Sequence, residues 1–123
     1  MLLRVLSGLM TLLFLFSVAV QYNDPDWYLW MAIYAAAAIL SALAALRPGK
    51  PDGRAAALVA LIAAVWALTI VPRVWGRVTW AEIGGDYVMK TPAIEEARES
   101  IGLGIVAMWT ALLAIARWPR RRA

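Results

Sequence analysis

The chain has 123 residues, 63% of them hydrophobic, with a formal net charge of +4 and neither cysteine nor histidine. Soluble domains are about 45–50% apolar, and so short a chain has too little interior to hide this excess. The missing histidine and cysteine exclude haem held between paired histidines, thiol–disulfide redox chemistry, His- or Cys-ligated zinc, and triads with a histidine base.

A lipid solvent removes the burial conflict, and without the alternating polar residues of barrel strands the spans must be helical. A spanning helix needs about 20 residues, with roughly 17–25 the usual range. Four apolar runs predict spans at about 2–20, 28–46, 55–72 and 92–117. Together they form one all-α, integral membrane four-helix bundle. The first run is read as a span rather than a secretory signal, because it is long and no clean small-x-small site follows it.

Between the first two runs stands Gln21-Tyr22-Asn23-Asp24-Pro25-Asp26-Trp27. Asn23 or Asp24 can cap helix 2, Pro25 suits its first position, and Asp26 complements the positive dipole end. Capping accounts for Asp24-Pro25. It accounts less well for Gln21 and the second carboxylate, since one cap needs one acceptor. In the second run, the alanines at 35–38 favour close helix contact. Residues 47–54 carry Pro48, Gly49, Pro51 and Gly53 and form a tight connector, with basic groups placed near anionic headgroups.

Pro72 marks the expected end of the third span. Residues 73–91 carry Trp75, Trp80 and Tyr87 and break at Gly84-Gly85, the pattern of an interfacial segment with rings at headgroup level. Thr91 then reads as an N-cap with Pro92 in first position. Glu95 and Glu96 thereby occupy the opening turns of helix 4, where Arg98 can pair Glu95 at i,i+3. Glu95 and Glu99 share a face, and like charges at that spacing oppose the helix by roughly 0.2–0.5 kcal/mol. A cation or a basic partner such as Arg98 or Arg73 would relieve them.

The charges divide by loop. Arg4, Arg47, Lys50, Arg54, Arg117, Arg120, Arg121 and Arg122 stand against Asp52 alone, a net of +7. The other end sets Arg73, Arg77, Lys90 and Arg98 against Asp24, Asp26, Glu82, Asp86, Glu95, Glu96 and Glu99, a net of −3. The positive-inside rule makes the basic end cytoplasmic, so both termini are expected inside, in the cell (inner) membrane. Cations scattered over short loops give no continuous face for tracking phosphates, so no nucleic acid partner is expected.

Both acidic motifs fall on one side. If the mouths of helices 2 and 4 converge, Gln21, Asn23, Asp24, Asp26, Glu95, Arg98 and Glu99 form one polar cluster above an apolar bundle. Hard oxygen ligands of this kind suit Ca²⁺ or Mg²⁺, although the spacing matches no calcium-loop motif. An internal Asp/Glu–Arg lock is the simpler alternative. Within the spans, Ser7, Thr11, Ser17, Ser41, Thr69 and Thr110 can bond back to their own helices. The lack of a mid-span carboxylate disfavours proton-coupled transport. Trp66 and Trp109 sit mid-helix and need indole partners or interfaces to pack against.

At these motifs the chain resembles the transmembrane protein 220 family of small multi-pass proteins. The resemblance is carried by Gln21, Asn23-Asp24-Pro25-Asp26, Trp30, Tyr34 and Val65-Trp66-Ala67, then Glu95-Glu96, Arg98-Glu99, Gly102-Leu103 and Trp109. It covers nearly the whole chain, although the connection between helices 3 and 4 is longer and richer in tryptophan than the family pattern implies. The resemblance implies a four-helix membrane protein and supplies no activity, substrate or cofactor. The expectation is a non-enzymatic protein without a cofactor, surrounded by membrane lipids, that offers an acidic extracytoplasmic surface to another membrane subunit or a second copy. The alternative is a lipid- or cation-handling carrier or enzyme using Asp24, Asp26, Glu95 and Glu99.

Overall fold

The computed structural model describes residues 1–23, 26–76 and 92–119, with the backbone alone at Tyr22, Asn23 and residues 92–95. The described residues form four long helices: α1 (Leu2–Ala19), α2 (Trp27–Leu46), α3 (Gly53–Val74) and α4 (Pro92–Ala116). A 3₁₀ turn, Val20–Asn23, continues α1. At about 1.5 Å per residue, even the 18 residues of α1 approach the roughly 30 Å of a hydrocarbon core. All four helices are long and apolar enough to cross a membrane.

Three sets of contacts fix the register. Arg4 reaches the carbonyl of Ala45 and Phe14 stacks on Tyr34, so α1 and α2 run antiparallel. Gly53 bonds Arg117 and Arg73 bonds Glu96, so α3 and α4 form a second antiparallel hairpin. Tyr34 meets Gly102 and Ser41 meets Trp109, pairs that are both 68 positions apart, so α2 and α4 run parallel. The α3–α4 interface is the most extensive, α2 touches both of those helices, and the backbone of α1 approaches α2 alone among the four. The bundle is thus a trio of α2, α3 and α4 with α1 laid outside α2.

This arrangement explains which side chains are exposed. Leu9, Leu12 and Phe16 of α1 face outward, as apolar residues can where lipid is the solvent. The inner face of α2 carries Trp30, Tyr34, Ala37, Ser41 and Ala44, all buried. Ala37 and Ala38, half of the alanine run, lie at the core, where small side chains let neighbouring helices close in.

The helix ends differ from the sequence expectation in two places. Asp26, not Asn23 or Asp24, occupies the N-cap position of α2, and its side chain makes no capping bond; Asn23 belongs to the preceding 3₁₀ turn. Pro72 does not stop α3, which runs on to Val74. A proline removes one N–H, here the donor to the Leu68 carbonyl, but Arg73 Nε donates to the Thr69 carbonyl and Trp75 N–H to that of Val71. Gly76 follows the cap residue at φ 78°, the left-handed conformation that commonly closes a helix. Asp24, Pro25, residues 77–91 and residues 120–123 lie outside the described residues, and with them Thr91 and most of the expected interfacial segment.

Candidate functional site

The α2–α4 register sets the depth of the acidic end. Glu95 and Glu96 come level with Trp27 and Tyr28, and Glu99 comes one turn deeper, level with Met31. Beneath them lies a stack of rings contributed by three helices. Phe14 and Tyr34 have centroids 6.3 Å apart, Tyr34 and Trp30 6.4 Å, and Trp30 and Trp66 4.4 Å, with interplanar angles of 27–29°. Trp30 is 2% exposed and its Nε1–H has no hydrogen-bond partner among the described residues. A buried donor left unpaired costs about 1–3 kcal/mol, so the ring is held there by its stacking. The Tyr34 hydroxyl packs against Gly102, where a Cβ would collide with it, and lies within Coulombic range of Glu99.

Those predicted site residues that are described have different surroundings. Glu99 lies within Coulombic range of Tyr34, a neighbour that the sequence reading did not give it. Glu96 pairs with Arg73 at 3.3 Å across the α3–α4 hairpin, with both side chains partly exposed. The sequence reading had offered Arg73 to Glu95 or Glu99; the antiparallel register brings it to Glu96. Arg98 and Glu99 are both engaged in interactions of their own. Gln21 turns its amide back onto the Ser17 carbonyl, 2.9 Å away, and so continues α1 rather than reaching toward α4. Asp26 is half-buried at the start of α2. Asp24 and the side chains of Asn23 and Glu95 lie outside the described residues. Among those residues no group of three or more carboxylates comes together as a metal site would require.

Five of the six span hydroxyls bond back to their own helices as expected, whereas the buried Ser7 hydroxyl finds no partner among the described residues. Those of Thr11, Ser17, Ser41, Thr69 and Thr110 all donate to a carbonyl three or four residues earlier. Ser41 does more: its oxygen also accepts the Trp109 Nε1–H at 2.9 Å, joining α2 to α4. Trp66 takes the other course and stacks on Trp30.

The opposite end holds an arrangement the sequence reading missed. Arg117 lays its guanidinium on Asp52, Nε to Oδ1 at 2.5 Å and Nη2 to Oδ2 at 3.2 Å. It also donates to the carbonyls of Arg47 at 2.9 Å and Pro48 at 3.1 Å. Gly53 N–H donates to the Arg117 carbonyl at 3.0 Å. A Cβ on Gly53 would stand 2.6–2.7 Å from backbone atoms of Ala114, Arg117 and Trp118. Asp52 holds the N-cap position of α3 yet makes no side-chain cap bond, because its carboxylate serves Arg117. The one available signal was Asp52 itself, a lone acid among cations.

Several of the residues that carry the sequence resemblance thus come together: Trp30, Tyr34 and Trp66 stack, Gly102 receives the Tyr34 hydroxyl within Coulombic range of Glu99, and Trp109 binds α2 below. No solved structure matches the chain. Residues 13–115 match the family described as transmembrane family 220, helix. That match runs from within α1 almost to the end of α4, and the chain belongs to transmembrane family 220 as a multi-pass membrane protein of four apolar helices.

Proposed function

We propose that the chain works as a non-enzymatic subunit of the cell (inner) membrane, with both termini inside, whose acidic outer end engages a partner. The observation that carries this reading is the stack of rings beneath that end. Phe14, Tyr34, Trp30 and Trp66 occupy the space where a carrier would need a passage. Ionic groups collect above them, where Glu96 is already matched by Arg73. Polar side chains over a packed aromatic floor suit recognition at a surface better than transport through the bundle. The outlying position of α1 adds an apolar flank that a neighbouring membrane subunit or a second copy can pack against.

Neutral isosteres at Asp24, Asp26 and Glu99 test the reading. The variant is expected to insert normally and to lose a partner that co-purifies with the wild type. Unchanged association would overturn it. The carrier reading rests on one observation, the unpaired Trp30 indole N–H below the mouth. It would gain ground if a lipid or cation protected Trp30 fluorescence from quenching.

A further inference from the structure

We propose that the basic end of the bundle is a binding site for the headgroups of anionic phospholipids, formed by Arg4, Arg47, Lys50 and Arg54 around the loop that Arg117 grips. The inference is independent of the partner reading, which concerns the other end. Asp52 is the only acidic side chain at this end of the sequence. Arg117 takes both of its oxygens. Arg117 is itself buried and also donates to two backbone carbonyls. The lock thus removes one charge of each sign from the surface and leaves the remaining cations without a carboxylate among the described residues.

Those cations are all exposed, and their backbones are tied to this end of the bundle. Arg4 Nε donates to the Ala45 carbonyl at 2.8 Å, beside the end of α2 that Arg47 follows. Lys50 N–H closes a turn on the Arg47 carbonyl at 3.1 Å. Arg54 adjoins Gly53, which is bonded to Arg117. The Arg54 guanidinium stands 5.9 Å from the centroid of the half-exposed Trp118 ring. Indole rings settle at headgroup level, and the ring face holds the cation there. A set of exposed cations at headgroup depth, without a carboxylate partner among the described residues, complements a headgroup of net negative charge. Phosphatidylcholine brings its own cation and complements the set less well.

The lock uses the carbonyl of Arg47 and not its guanidinium, so three of these side chains can be neutralised with the lock intact. Native mass spectrometry of the detergent-purified full chain tests the site, with phosphatidylglycerol and phosphatidylcholine of identical acyl chains as probes. The wild type is expected to retain phosphatidylglycerol at least tenfold more tightly than phosphatidylcholine. R47Q/K50Q/R54Q is expected to lose that preference by about fivefold per cation removed. R73Q, at the other end, should leave it unchanged. Equal retention of the two lipids by the wild type would overturn the proposal, with no variant needed. So would wild-type retention by the triple variant, or displacement by millimolar inorganic phosphate, which would mark a site for a small anion.

Discussion

Asp52→Ala removes the counter-charge of a guanidinium whose side chain is only 2% exposed, from a partner that is itself 9% exposed. Two carbonyls would remain for Arg117, but a buried cation would have lost its anion. Breaking a buried pair from one side costs about 3–5 kcal/mol. The loop position and the surviving carbonyl bonds place Asp52→Ala near the low end, at about 3 kcal/mol. Arg117→Ala should cost a similar amount by stranding the carboxylate. Because each variant destroys the same contact, the double variant should fall well short of the sum, with a coupling of about 2 kcal/mol. Equilibrium unfolding in mixed micelles, followed by tryptophan fluorescence, reads all three. A cost for Asp52→Ala below about 0.5 kcal/mol, or strictly additive single changes, would refute the claim that this pair fastens α4 to the loop between α2 and α3.

The same assay checks the remaining interhelical contacts. Ser41→Ala strands the Trp109 indole N–H and should cost about 1 kcal/mol, typical of hydrogen bonds between membrane helices; no loss would mean that the indole finds another acceptor. Gly102→Ala should cost about 1–3 kcal/mol by overpacking against Tyr34, and adding Tyr34→Phe should recover much of it, since the hydroxyl is what the new methyl meets. Gly53→Ala meets backbone on all sides and should admit no such rescue by a side-chain change. Arg73→Gln, which opens an exposed ion pair, should cost less than about 1 kcal/mol.

Element type was legible because lipid leaves a strong mark on composition. Four apolar runs of spanning length can be little else, and helix 4 could be traced back to Pro92 from its capping pattern. Partnerships were harder to read. Arg117 looked like one more orienting charge, and nothing local to it distinguishes a buried guanidinium from Arg54, which lies exposed over Trp118. That difference arises only when the α3–α4 hairpin brings Arg117 level with Gly53. The α2 cap was misplaced for a related reason: Asn23, Asp24 and Asp26 all favour caps, and the 3₁₀ turn at the end of α1 decides among them. The resemblance named Trp30, Tyr34, Trp66 and Gly102 without saying that they touch. A helix pair running parallel in a register of 68 cannot be read from spacing along one chain.

The central claim, that the acidic end is where this membrane protein meets a partner, can be tested by site-directed photocrosslinking. The sequence contains no cysteine, so a single cysteine can carry a benzophenone probe at the exposed Trp27 or, at the opposite end, at Lys50. The account predicts a discrete protein adduct from position 27, weakened when Glu99→Gln is added, and only lipid adducts from position 50. A protein adduct from position 50 alone, or only lipid adducts from both positions, would contradict it.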